Sequence, residues 1–399
     1  MPIQNTTATY GSVAKTLHWL TALLILTAIP LGLIANQLPY DTGEELARKA
    51  WLFSLHKTTG IAAFAVALAR ILWALIQPKP APLHPDRRAE TFLAETVHWL
   101  LYAALVVVPL SGWIHHAATT GFAPILWPLG QSLPLVPKSE AVAGLFASVH
   151  WVFTKLLALA LVLHIAGAIK HALIDRDQTL ARMLPGQPDV KAPPTKARST
   201  PLAAAVILYI FGAAGAATLA AQAPHEAPTT AAPALAAAPS QWQVAEGTLQ
   251  ITVQQLGSAV TGSFADWTAA IDFDETATGG KHGTAEVQIA IASLTLGSVT
   301  SQALGPDFFA ANQHPTATFA ADLLPADTGY LAEGSLTLRG AEVRVSMPFV
   351  LEIDGDTARM TATTQLDRRD FGIGETYPDE SSVGFGVGVD ITLTASRTN

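Results

Sequence analysis

The sequence predicts two architectures in one chain: an all-α transmembrane four-helix bundle with one extra spanning helix, then an all-β antiparallel barrel. Half of the 399 residues are hydrophobic and only 14% are charged, yet the long apolar runs are confined to residues 14–221. That region holds five runs near the roughly 20 residues that one helical crossing of a bilayer needs. Beyond residue 240 the apolar period changes from helical to two, the spacing of half-buried strands. A net charge of −8 gives no footprint for nucleic acid.

The spans run from about Val13 to Ile34, Leu52 to Ile76, Val97 to His116, Leu145 to His171, and Pro201 to Ala221. The first lacks a nearby small-residue cleavage site and leads into further spans, so it reads as a span rather than a cleaved leader. Basic residues mark alternate loops. Lys79, Arg87 and Arg88 follow the second span, with Arg70 near its end, and Lys170, Arg176, Arg182, Lys191, Lys196 and Arg198 follow the fourth. By the positive-inside rule these loops and the N-terminus are cytoplasmic, which leaves the C-terminal part outside the membrane. Trp19, Trp51, Trp73, Trp99, Trp113, Trp127 and Trp151 mostly flank span ends, as an interfacial belt does.

Residues 222–240, "QAPHEAPTTAAPALAAAPS", form an Ala/Pro-rich linker that divides the two architectures. The expected organisation is a bundle at 1–185, a cytoplasmic connector with the fifth helix at 186–221, the linker at 222–240 and the barrel at 241–399. In "EVRVSMPFVLEI", Val343, Val345, Met347, Phe349, Leu351 and Ile353 share one face. "TAEVQIAIASLTL" and "GVGVDITLTAS" alternate in the same way, between turn signals such as "TGG" and "DGD". Six to eight such strands make an antiparallel barrel or sandwich.

The chemistry-bearing residues of the spans are histidines. His150 and His164 are fourteen residues apart. At 100° and 1.5 Å per residue they share a helix face and lie about 21 Å apart along the axis. A polar side chain at that depth needs a partner. His18 begins an outward span, and His56 begins an inward one. Depth then matches His56 with His150 on the outer side and His18 with His164 on the cytoplasmic side. Singly, each reads as an ordinary helix-end residue. As two depth-matched pairs they read as axial ligands of two b-type haems stacked across a bundle. Zinc or copper held by two histidines alone is under-coordinated, and a histidine proton relay is the remaining alternative. The chain has no cysteine, so any haem is held non-covalently.

"KTLHWLTALLI" (15–25), "LHKTTGI" (55–61), "HWLLYAALVVVPLSGW" (98–113) and "VHWVFTKLLALALVLHIAGAIKHALIDRDQTLARMLP" (149–185) resemble the bacterial cytochrome b-561 family of four-helix di-haem membrane proteins. The resemblance implies haem ligation by His18, His56, His150 and His164. It also implies electron transfer, either from superoxide to ubiquinone or as the cytochrome subunit of a dehydrogenase. The fifth span is outside that pattern. His98, where the family tends to place a histidine, reads as a quinone or propionate contact or as a plain interfacial residue. Arg70, fourteen residues after His56, reads as a propionate partner or a positive-inside anchor, and Lys57 has the matching alternatives outside. His115 and His116 read as interfacial, and His171 as a helix C-terminal cation.

"VTGSFADWTAAIDFD" (260–274), "GPDFFAANQHPTATFAA" (305–321), "GSLTLRG" (334–340) and "DRRDFGIG" (367–374) resemble the YceI-like, lipocalin-type polyisoprenoid-binding family. The resemblance implies an eight-stranded barrel with an apolar interior. Aromatic residues such as Phe264, Trp267, Phe273 and Phe319 supply its bulk. Asp367, Arg368, Arg369 and Asp370 read as a solvated strand end. His282 stands isolated, and His314 reads as a turn residue.

The expected function is that of an oxidoreductase of a respiratory chain in a bacterial inner membrane. Two haem b groups carry electrons between an outer donor, superoxide or a partner dehydrogenase, and an isoprenoid quinone. A tethered periplasmic barrel holds ubiquinone or another polyisoprenoid. The alternative is a membrane-anchored polyisoprenoid-binding protein without redox turnover, whose helices serve only as an anchor.

Overall fold

The computed structural model describes residues 2–119, 122–126, 131–186, 188–190, 199–222, 235 and 240–398. Nearly all of the expected linker, together with Trp127, Lys191, Lys196 and Arg198, lies outside the described residues. The chain forms two compact units. One comprises Met1–Gln37, Trp51–Thr119 and Pro124–Ala223, and the other Leu38–Ala50, Thr120–Ala123 and Pro224–Asn399.

The helical elements are α1 (Ser12–Gln37), α2 (Gly43–Leu75), α3 (Arg88–Ala118), α4 (Glu140–Lys170) and α5 (Thr200–Gln222). All five are long and apolar enough to cross a membrane, with mean hydropathy between 1.7 and 2.1 in their most apolar windows. Several exceed the expected spans because polar turns extend the helix past its apolar stretch, as at Gly43–Trp51 and Arg88–Thr96. Ser139 caps α4, its hydroxyl oxygen accepting from the Val142 N–H at 3.4 Å. A π-helical turn at His171–Asp175 ends α4, and Arg176 leaves it in the left-handed region (φ 54°). Pro30 and Pro109 lie inside α1 and α3. Each removes one backbone donor, a loss that neighbouring helices make tolerable in membrane proteins.

The middle of the bundle is an apolar layer of Ile25, Ala67, Ala104, Leu105, Val108, Phe153 and Leu157, so α1 to α4 all contribute. α5 lies on α3 and α4. Its Tyr209 hydroxyl donates to the Leu100 carbonyl at 2.9 Å, and its ring stacks on Phe153 at 4.9 Å. Large apolar side chains such as Leu23, Leu72, Val162 and Phe211 face outward, more than half exposed, as lipid-facing residues do.

In the second unit, β1 (Trp242–Gln255), β3 (Trp267–Thr278), β4 (Lys281–Ala290), β6 (Thr316–Pro325), β7 (Tyr330–Leu338), β8 (Ala341–Asp354), β9 (Thr357–Asp367) and β10 (Val383–Arg397) pair in that order. β10 pairs antiparallel with β1, from Trp242↔Arg397 to Gln255↔Val383, and closes an eight-stranded barrel. β2 (Ser258–Phe264) and the two-residue β5 (Leu294–Thr295) form a flap on the second half of β1. Closure removes every sheet edge from the ring. The β3–β4 turn is Gly279–Gly280, with φ of 65° and 88°, the mirror-image geometry that matches the twist of a two-residue hairpin. Trp242, Phe273, Phe319, Val345, Met347 and Phe349 point inward among the core residues.

Candidate functional site

The expected histidine pairs meet in the bundle. The rings of His56 (α2) and His150 (α4) have centroids 6.2 Å apart at an interplanar angle of 87°. Those of His18 (α1) and His164 (α4) are 6.0 Å apart at 60°. Metal–imidazole bonds of about 2.0–2.1 Å, plus about 1.2 Å from each ring nitrogen to its ring centre, place two imidazoles on opposite sides of one ion ~6.5 Å apart. Both pairs come within about half an ångström of that span. His98 (α3) lies 5.2 Å from His164, edge-on, which is too close for the two to ligate one ion from opposite sides.

Local structure fixes the first pair. His56 Nδ1 lies 2.8 Å from the Ala28 carbonyl oxygen, and His150 Nδ1 lies 2.8 Å from that of Val108. A carbonyl only accepts, so each Nδ1 carries the proton and each Nε2 offers its lone pair. Glycine makes room for both rings. A Cβ at Gly32 would stand 2.8 Å from the His56 ring, and one at Gly112 would stand 3.0 Å from the His150 ring. His18 Nδ1 is buried with no partner among the described residues.

These contacts expose a repeat that a search for short periods misses. "HWL" recurs at 18–20 and 98–100, and the same offset of eighty residues takes Ala28 to Val108 and Gly32 to Gly112. An offset of ninety-four takes His56 to His150 and Arg70 to His164. The hairpins α1–α2 and α3–α4 therefore carry these residues at matching positions. His98 is the counterpart of His18, and Arg70 the counterpart of His164. The legible signal was the repeated His-Trp at the start of alternate spans.

Arg70 places its guanidinium 5.3 Å from the Tyr102 ring centre. Lys57 Nζ lies 3.2 Å from His116 Nδ1, and His116 Nε2 lies 2.9 Å from Gln131 Oε1. His116 stands in the last turn of α3 and is 7% exposed, its ring buried by this polar chain. His171 is not a bare helix-end cation. Its Nδ1 lies 2.7 Å from Asp177 Oδ2, which also sits 3.0 Å from His84 Nε2. Burial works to raise the Asp177 carboxyl, but hydrogen bonds from Thr179 and His171 outweigh it and hold the group down at about 2.

The barrel encloses a cavity of about 260 Å³, apolar except where Gln255, Gln302, Thr364 and Arg368 reach it. Arg368 also corrects an expectation, being 4% exposed rather than part of a solvated strand end. Its guanidinium donates to the carbonyls of Gly384, Ile373, Gly374, Tyr377 and Val383, at 2.6–3.2 Å. Arg369 turns outward and pairs with Asp367 at 2.6 Å, both partly exposed.

Comparison with known proteins divides the chain at the same place. Residues 9–186 match the family model for prokaryotic cytochrome b561, and residues 241–395 match that for the YceI-like domain. Cytochrome b561 homolog 2 of Escherichia coli (strain K12) is 31% identical over 189 residues, 46% of this chain and 95% of that protein. The probable superoxide oxidase CybB of Yersinia pestis is 24% identical over 180 residues, 44% of this chain and 96% of that protein. The crystal structure of Burkholderia cenocepacia BcnA shares 28% identity, covering 38% of this chain and 96% of that one, with a TM-score of 0.35. With nearly the whole of a curated relative matched at this identity, the chain belongs to the prokaryotic cytochrome b561 family and carries a YceI-like domain fused behind its membrane part.

Proposed function

We propose that this multi-pass membrane protein is a di-haem electron carrier. His56 and His150 hold one haem b, and His18 and His164 hold the other. The observation that supports this most strongly is the 6.2 Å and 6.0 Å separation of the two ring pairs, close to the ~6.5 Å between two imidazoles on opposite sides of one ion. A haem held at each pair would supply reversible one-electron chemistry, and two imidazoles for each haem would suit electron transfer rather than oxygen binding.

The residues around the pairs do the rest. Ala28 and Val108 hold two imidazoles in the ligating tautomer. The apolar layer between the pairs keeps water from the middle of the bundle. Arg70 supplies positive charge at the His18/His164 end, where a propionate needs it, and His98 stands beside His164 as a contact for a quinone or a propionate. The positive-inside rule puts the His18/His164 end at the cytoplasmic side of an inner membrane and the barrel in the periplasm. Superoxide is the donor we favour, from the likeness to the probable superoxide oxidase of Yersinia pestis; a partner dehydrogenase is the other source. The acceptor is an isoprenoid quinone.

The barrel's role is to hold a polyisoprenoid chain, such as that of ubiquinone. Its apolar cavity with a few polar lining groups supports an amphiphile of that kind. The experiment is a comparison of superoxide-driven quinone reduction by the full chain in membranes and by His56→Ala. Loss of the activity in the variant is expected, and equal rates would exclude the route.

A further inference from the structure

Arg182 lies in the single 3-10 turn Ala181–Met183 that follows α4. By sequence it is one more basic residue of an inside loop. In the structure it is 6% exposed. Its Nη1 donates to the Ala81 carbonyl at 3.0 Å, while Nε and Nη2 are buried with no partner among the described residues. An arginine does not shed its proton to escape such a site. A buried guanidinium with two idle donors, one of them on its Nε edge, has the shape of a receptor for a carboxylate or another oxyanion.

Among the described residues no side chain nearby fills that role. Asp177 is near enough to act on Arg182 through space, but its carboxylate is engaged by His171, His84 and Thr179. Tyr10 offers only its ring face, 5.7 Å from the guanidinium carbon. The turn is anchored at the His18 end of the bundle. Lys15 Nζ donates to the Leu184 and Gly186 carbonyls at 2.8 Å each, and Trp19 Nε1 donates to the Met183 carbonyl at 2.8 Å. Trp19 is the neighbour of His18, and their rings meet edge-on at 5.3 Å. Arg70 acts on the same place. Tyr10 feels the charges of both Arg182 and Arg70, which oppose the upward push that burial and Tyr102 exert on its phenol. Two guanidiniums from distant parts of the chain therefore converge on the end of the bundle that carries His18 and His164.

We propose that Arg182 is the receptor for a propionate carboxylate of the haem held by His18 and His164, working with Arg70 as a two-arginine clamp. The inference rests on the di-haem reading and extends it to a residue beyond the four spans. The clamp places fixed positive charge beside that haem and none beside the one at His56 and His150. Positive charge favours the reduced iron, so the clamp raises the potential of its own haem alone.

The test is a spectroelectrochemical titration of the full-length holoprotein with a haem count, for wild type, R182A, R182Q and R182K. In R182A and R182Q the His18/His164 component is expected to titrate at a lower potential, or to be partly lost, with the other component unmoved. R182K keeps the charge and is expected to restore the potential. Should R182A lose both haems, the bundle has not folded, and R182Q, which keeps most of the bulk and a donor for Ala81, reads the same shift. Two haems with unmoved potentials in R182Q would overturn the assignment of Arg182. Fewer than two haems in wild type would instead overturn the di-haem reading beneath it.

Discussion

His56 and Ala28 meet across α1 and α2, ring nitrogen to carbonyl oxygen, at 2.8 Å, and His150 meets Val108 in the same way. In each case a glycine stands four residues beyond the carbonyl, at Gly32 and Gly112, against the histidine ring. The bond sets which nitrogen is free, and the glycine sets where it points. Together they orient two imidazoles, as outer hydrogen bonds do at metal–histidine sites.

Gly32→Ala and Gly112→Ala test this orientation. The added methyl would stand 2.8 Å and 3.0 Å from the rings, so the imidazoles must move. Overpacking of this kind costs about 1–3 kcal/mol. The expected outcome is partial loss of the haem at His56 and His150 and full retention of the other, read from the reduced-minus-oxidised spectrum.

His98→Ala is expected to keep both haems, because 5.2 Å from His164 is too short for the two rings to take opposite sides of one ion. Any effect belongs in the rate of electron exchange with quinone. A haem count per chain decides: loss of one haem in this variant would make His98 a ligand and displace His18.

The Asp177 carboxyl is held at about 2, below its ordinary 3.8, so its hydrogen bonds stabilise the fold above about pH 4 and lose that contribution as pH falls through about 2. Asp177→Asn removes the effect. The stability gap between wild type and this variant, measured by denaturant unfolding in detergent, is expected to stay level from pH 7 to pH 5 and to shrink only below pH 4. A gap that closes between pH 7 and pH 5 would assign the effect to other groups.

Arg368→Ala leaves five barrel carbonyls without their shared donor. With roughly 1–3 kcal/mol for each buried group left unsatisfied, and partial rescue by water, a loss of several kcal/mol is expected. The barrel's thermal midpoint should drop well below that of Arg369→Ala, whose partner Asp367 is partly exposed. Equal midpoints would mean that the buried guanidinium does not hold the strand ends together.

Much of this was legible in the residues because it depends on local period. The five spans are long apolar runs, the barrel strands alternate, and fourteen residues between His150 and His164 are enough to place them on one face at two depths. Arg182 and Arg368 were not legible. Arg182 reads as one basic residue of an inside loop and Arg368 as part of a solvated strand end, and burial comes from segments far away in sequence: Ala81 and Tyr10 for one, the start of β10 for the other. The internal repeat was present in the sequence but diluted. Its two copies share a few residues at wide spacing, and only the matched hydrogen bonds of His56 and His150 show which residues correspond.

A haem count with a resolved difference spectrum, on the purified full-length protein and on four single variants, bears on the histidine pairs without intermediaries. Two b haems per chain are expected. His18→Ala and His164→Ala should remove one spectral component, and His56→Ala and His150→Ala the other. One haem per chain, or His18→Ala and His56→Ala removing the same component, would contradict the pairing.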